Sequence, residues 1–336
     1  MQSARIPVAL VLGAAALSGF TTTSQAQELR FSTFVPPVHV IYREVITPWA
    51  ADVAKATNGE VKVTLYPSLQ LGGKPPELVR QVVEGVVDVV FTLPGYTSPA
   101  FPRTQMIELP GLKPDGPAAT NMMWDLFDPY LLPEYEGTKV IALWGAEDAG
   151  LMSRSKPIRS LDDIKGLRLR APSAAQAKQI EVMGGVPVAM PITQVYQSLE
   201  RGVVDGAMLP FSTIPDFRLG EVAKSYTIAG PLFGRSSFLI AMNRKKWDSL
   251  SASSRAAIDR LSGRSLSLKA TEVYLKRSHQ GIDSVRGKGE VIELSRAEQQ
   301  RIGAVLKPIV AEWIKESEAK GIPARDMLRK AGYPGI

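Results

Sequence analysis

Short strand-like runs and helical stretches alternate from Leu29 to Gly230, and this order constrains the fold more than any other feature of the chain. Leu29–Phe34 (LRFSTF) and Val61–Tyr66 (VKVTLY) alternate apolar and polar residues, as half-buried strands do. Val86–Phe91 (VVDVVF) is a β-branched run suited to burial on both faces. Between them the pattern predicts a helix over His39–Thr57, stopped at Asn58-Gly59. A second helix opens at Pro75-Pro76, where proline costs little, and runs to Glu84-Gly85. Further strands are predicted near Lys139–Trp144, Leu167–Arg170 and Val186–Met190. Such an order predicts parallel βαβ units and an α/β fold. After a strand at Phe238–Asn243 the pattern changes. Residues 251–286 contain no proline and only Gly263 and Gly281, which predicts one long helix or two joined ones. A strand at Glu290–Leu294 and helices over Arg296–Ala319 and Ala324–Ala331 complete the chain. The 336 residues show no internal repeat or low-complexity linker, so two lobes joined by several crossings are expected.

Residues 1–26 read as a signal peptide. Arg5 is followed by the uncharged run Val8–Phe20, and Ser24-Gln25-Ala26 places small residues at a cleavage site. The run is too short to span a bilayer, which needs about 20 apolar residues. Cysteine is absent, which removes disulfides, thiolate metal sites, cysteine nucleophiles and a cysteine for lipid attachment. An exported, periplasmic protein is therefore expected. The formal charge is +7, but residues 240–336 carry 19 Lys/Arg against 11 Asp/Glu, so the excess lies in the last third as a solvated helical surface. Export and the lack of aromatics interleaved with basic clusters argue against nucleic acid as a partner.

Chemistry-bearing motifs are scarce. There is no HExxH, Gly-x-Ser-x-Gly, P-loop or dinucleotide fingerprint, and no cofactor or metal is expected. Only His39 and His279 could serve as a histidine base. His279 lies in a basic helical stretch, and His39 has no acid–base partner nearby in sequence, so an exported hydrolase is the weaker alternative. Arg170, in contrast, closes the strand-like Leu167–Arg170 just before Pro172. Ligands of open α/β sheets bind beyond the carboxyl ends of strands, and a guanidinium there is suited to a carboxylate.

The stretch Ser160–Pro210 contains DIKGLRLRAP at Asp163–Pro172 and GVVDG at Gly202–Gly206; Met242-Asn243 and Trp247–Leu250 follow in order. With Thr57–Val61 and Leu71–Gly73 these segments closely resemble the solute-binding proteins of tripartite ATP-independent periplasmic (TRAP) transporters, over essentially the whole mature chain. The resemblance implies a two-lobed periplasmic-binding-protein fold with mixed sheets flanked by helices and a long helix crossing both lobes. It places lobe I at 27–149 with about 236–286 and lobe II at 150–235 with about 287–336. It implies capture of a small organic acid, no catalysis, and membrane transporter subunits as partners of a monomer. It also implies that Arg170 fixes the ligand carboxylate, leaving Arg168 structural.

Two departures from the family pattern narrow the expected ligand. Leu209 stands where many members place a ligand-binding asparagine, and Gly150 falls at or beside the position of a frequent second arginine. One cation suits a monocarboxylate, with an aromatic or apolar acid favoured and a keto or hydroxy acid next; a C4-dicarboxylate or sugar acid is the alternative. Phe34, Tyr96, Trp144, Phe211 and Phe233, all at or after strand ends, are with Leu209 the candidate walls.

Overall fold

The structure is a computed structural model that describes residues 26–112 and 115–335. Eleven strands are present among the described residues: β1 Gln27–Thr33, β2 Val61–Tyr66, β3 Val89–Thr92, β4 Thr138–Gly145, β5 Gly150–Ser153, β6 Arg168–Ala171, β7 Val186–Ala189, β8 Gly206–Leu209, β9 Ser225–Ile228, β10 Ser237–Asn243 and β11 Glu290–Glu293. They form two sheets, ordered β2-β1-β3-β10-β4 and β11-β9-β5-β8-β6-β7. The signal-peptide expectation for residues 1–26 falls almost wholly outside the described residues.

Both sheets are mixed, as the two-lobed fold requires and as a purely parallel βαβ reading does not. β1 pairs in parallel with β2 and β3, and β6 with β7 and β8. The exceptions sit where the chain passes between sheets. β4 leads through residues 146–149 into β5, which runs antiparallel to β8 and β9. β9 leads through residues 229–236 into β10, which inserts antiparallel between β3 and β4. A chain arriving from the opposite lobe enters the sheet from the far end, so its strand runs against those made locally.

Helices cover the sheet faces. The predicted long segment divides at Leu261–Ser262 into Ala252–Arg260 and the 23-residue helix Gly263–Val285. That helix packs on β4, where the Ser267 hydroxyl accepts from the edge amide of Leu143 at 2.9 Å, and reaches the second lobe at Thr213–Asp216 and β11. The single helix expected over Arg296–Ala319 is instead Arg296–Leu306 and Pro308–Ala319. Pro308 lacks an N–H and opens a new first turn instead of extending the old helix. Strand β3 begins three residues later than expected, because Gly85 ends the preceding helix in a left-handed turn (φ 78°) and the chain must re-enter the sheet.

Candidate functional site

The carboxyl ends of β1, β3, β6 and β8 converge on a cavity between the two sheets, the place the topology assigns to a ligand. Phe34 follows β1, and Leu93 and Tyr96 follow β3. Arg170 comes from β6, and Pro210 and Thr213 follow β8. Phe238 of β10 and Tyr274 of the long helix close the far wall. The cavity is about 20 Å³, room for little more than a water, so a ring-sized molecule enters only when the walls part.

Arg170 is 2% exposed, and it is the only lysine or arginine in the lining. Its Nε donates to the Met190 carbonyl at 2.9 Å and a terminal nitrogen to the Met208 carbonyl at 3.2 Å. Among the described residues it makes no ion pair within 4.0 Å, and part of its donor fork remains available. Burial lowers its pKa, opposed by the Tyr96 hydroxyl and by Glu108. Tyr96 accepts the Ile192 amide at 3.0 Å, which leaves its own proton free to donate.

Arg168, two residues earlier on the same strand, is held differently. Its guanidinium pairs fork-to-fork with Asp205 at the surface, at 3.0 and 2.7 Å. The structural role expected for it fits this geometry.

The walls are aromatic. Phe34 stacks on Phe91 (5.7 Å, 17°), Phe91 on Trp144 (5.6 Å, 6°) and Trp144 on Phe238 (5.5 Å, 21°). Phe238 meets Tyr274 at 4.8 Å. Trp144 is therefore fully buried in the middle of this stack and supports the wall without lining it. Its register partner Phe238 takes the wall position.

Of the sequence-predicted residues, Phe34, Tyr96 and Arg170 meet at the cavity. Trp144, Leu209, Phe211 and Phe233 do not line it. Leu209 is fully buried and pairs in register with Gly150. Phe211 turns away toward a second cavity. Phe233 is buried in the crossing segment between β9 and β10.

The positions of the two family departures thus lie side by side, and Phe211 fills the space over Gly150. A Cβ on Gly150 would stand 2.3 Å from the Phe211 ring and 2.9 Å from the Thr227 carbonyl oxygen. Where a second arginine would project, an aromatic ring lies.

Several wall residues escaped the sequence reading, among them Leu93, Ile192, Thr213, Phe217, Phe238 and Tyr274. Phe238 opens a strand instead of closing one. Only the antiparallel course of β10 brings its beginning to the ligand end, and that course has no local signature.

His39 also lines the cavity, 2% exposed, with the Ile41 amide donating to its Nδ1 at 3.2 Å. That bond leaves the proton on Nε2, which faces Asp216 Oδ2 at 3.8 Å. Burial lowers its pKa to about 4, with Asp216 opposing, so the ring is neutral near pH 7. Asp216 bridges the lobes by accepting the Val40 amide at 3.0 Å and pairing with Arg277 of the long helix. His39 thus packs in the wall and accepts a backbone amide at the start of the following helical segment. Among the described residues no cluster of three or more His, Asp or Glu could hold a metal ion, and no helix is long and apolar enough to cross a membrane.

Two mixed sheets joined by several crossings, with a buried arginine at the strand ends between them, define a binding protein of the periplasmic two-lobed class. The family model for bacterial extracellular solute-binding proteins, family 7, matches residues 31–316, and the chain belongs to that family. Its relatives are TRAP solute-binding proteins, as the motifs implied. The C4-dicarboxylate-binding periplasmic protein DctP of Rhodobacter capsulatus is 26% identical over 331 residues, covering 94% of this chain and 96% of that protein. A marine metagenome TRAP solute-binding protein specific for aromatic acid ligands, crystallised with 3-hydroxybenzoate, is 30% identical with a TM-score of 0.88, covering 93% and 100%. A TRAP solute-binding protein from Rhodoferax ferrireducens T118 with copurified benzoate is 28% identical with a TM-score of 0.87, covering 90% and 96%.

Proposed function

We propose that this chain captures a small aromatic or otherwise apolar monocarboxylate in the periplasm and delivers it to the membrane subunits of a TRAP transporter. The observation that carries the reading is Arg170. It is one buried guanidinium, held by two carbonyls and the Tyr96 hydroxyl without a carboxylate within ion-pair distance, in a cavity otherwise walled by Phe34, Phe217, Phe238 and Tyr274. A carboxylate takes its free donors, with the Tyr96 hydroxyl as a second donor. The ring then packs on the aromatic walls. A keto or hydroxy acid comes next in preference, its extra oxygen within the reach of Thr213 or His39. Phe211 over Gly150 argues against a second carboxylate, because a buried anion without a cation is costly. The benzoate and 3-hydroxybenzoate held by two similar proteins support the same class of ligand.

In this reading the chain is secreted through residues 1–26 and works as a monomer. Residues 27–149 with 236–286 close on 150–235 with 287–336, as hinged binding proteins do. No covalent step is involved. Titration calorimetry against benzoate, 3-hydroxybenzoate, an apolar keto acid, succinate and glucuronate tests the proposal. Binding of the monocarboxylates alone is expected; binding of only succinate or glucuronate overturns it in favour of a dicarboxylate or sugar-acid protein.

A further inference from the structure

Glu108 is a carboxyl group that the sequence motifs do not single out. It ends the helical turn Thr104–Glu108 between β3 and β4, and it is 1% exposed. Its side chain accepts a hydrogen bond from Ser173 Oγ, which belongs to the other lobe and caps the helix Ala174–Val182. The Glu108 carbonyl accepts from Gln179 Nε2 of that helix at 2.8 Å, and Ser98 Oγ takes the helix's first amide, that of Ala174, at 3.3 Å. Gly95 makes the meeting possible. A Cβ there would stand 2.9 Å from Glu108 Oε1 and 3.0 Å from the Ser173 Cβ. Glu108 is therefore buried by contact between the two lobes, and it lies in the field of the Arg170 guanidinium.

The charged and titratable groups around it are few. Arg170 attracts its negative form from β6, and the Tyr96 hydroxyl lies beside Arg170 from the turn after β3. Arg235 follows Gly234, which rests on the Glu108 backbone, but its guanidinium turns away to Asp148 and the Leu112 carbonyl. One cation thus serves two acids, Glu108 and any carboxylate bound at Arg170.

We propose that Glu108 is the proton site of ligand capture: open lobes leave it ionised, and closure over an anion on Arg170 makes it take up one proton. The charge balance requires this. Arg170 and one carboxylate sum to zero, and an ionised Glu108 in the same dry space would be an unpaired buried anion. Protonated, it still holds its place through Ser173. Burial by the closed lobes already pushes its pKa up to about 7, against the pull of Ser173 and Arg170. An open cleft returns it to the ordinary carboxyl range near 4.3.

The inference rests on the monocarboxylate reading and is tested with benzoate on the mature protein. Between pH 5 and 7 benzoate stays ionised, and linkage of one proton weakens its affinity by up to about tenfold per pH unit, flattening above pH 7. Calorimetry in two buffers of different ionisation enthalpy should show uptake approaching one proton at pH 6. Glu108→Gln should bind without proton uptake and with a flat profile over this range. Ser173→Ala, which removes the donor to the ionised form, should move the flattening point to higher pH. A flat wild-type profile, a slope retained in Glu108→Gln, or an unmoved break in Ser173→Ala overturns the role of Glu108 while leaving the ligand class intact. Binding of dicarboxylates alone, or of no acid at all, overturns both.

Discussion

Two cavities lie along the lobe junction. The one at the strand ends is about 20 Å³ and contains Arg170. The other, bounded by the crossing segments and the long helix, is about 490 Å³ and is lined by Asp115, Glu147, Asp148, Arg235, His279 and Arg286 among others. By size the second is the obvious site. Its buried arginine, however, is already matched: Arg235 pairs with Asp148 at 2.5 Å and donates to the Leu112 carbonyl at 3.1 Å. Glu147 accepts the Ser212 amide at 2.7 Å, and burial pushes its pKa up to about 7. In the smaller cavity the arginine has only neutral groups, two carbonyls and the Tyr96 hydroxyl, as close partners. An anion gains most from the cation whose charge is still uncompensated, and volume in a closed two-lobed protein reports how far the lobes have closed more than what they hold.

The sharpest way to break this contrast is to remove each arginine in turn. Arg170→Ala should lose benzoate binding by at least about 30-fold, since deleting one partner of a buried charge pair costs about 2–5 kcal/mol. The protein should stay folded, because only bonds to two carbonyls and the Tyr96 hydroxyl are lost with it. Arg235→Ala should do the reverse. It strands the part-buried Asp148 and lowers unfolding stability by roughly 2 kcal/mol, with affinity held within about threefold. Calorimetry beside urea unfolding reads both. Equal effects of the two substitutions on affinity would remove the distinction between the cavities.

His39 sharpens the comparison from the stability side, because it is a titratable group of the smaller cavity that carries no charge near pH 7. Its folded pKa is depressed to about 4, chiefly by burial. An unfolded histidine titrates near 6.5. The unfolded chain therefore binds the proton first, and the stability His39 contributes is present above pH 6.5 and lost as pH falls toward 4. At 1.36 kcal/mol per pKa unit the loss amounts to about 3 kcal/mol. Raised-pKa acids such as Glu108 and Glu147 act in the opposite sense, so the test is the difference between wild type and His39→Gln in urea unfolding across pH 4–7. That difference should shrink as pH falls. A difference independent of pH would show that His39 remains accessible to protons in the folded protein.

The chain's own pattern revealed the fold to different depths. Strand positions were legible where a buried run ends in glycine or proline, as at Arg170 before Pro172. Arg170, Phe34 and Tyr96 reached the cavity because parallel strands deliver their last residues to one end. Trp144 obeyed the same rule but was covered by Phe91 and Phe238, and covering is a three-dimensional fact. Phe238 and Tyr274 enter from an antiparallel strand and a distant helix, so no spacing announces them. Glu108 was invisible for a related reason. An acid in a short helical turn is ordinarily a surface residue, and only the docking of the Ala174–Val182 helix from the other lobe buries it.

The smallest expected effect isolates what makes Arg170 different from its neighbour on the same strand. Arg168 and Arg170 share residue type, strand and side of the alternation, yet one is clasped by Asp205 at the surface and the other faces the cavity. The Arg168 side chain is 46% exposed, where solvent screens the pair, and exposed ion pairs contribute little to stability. Asp205 also accepts the Arg168 backbone amide at 2.9 Å, a bond that survives loss of the side chain. Arg168→Ala should therefore lower stability much less than Arg235→Ala does, an effect that diminishes in high salt, and leave benzoate affinity unchanged. A loss of affinity comparable to that of Arg170→Ala would mean that the strand's placement, and not the desolvated guanidinium, governs binding. Unchanged affinity would locate the selectivity of β6 in one buried side chain.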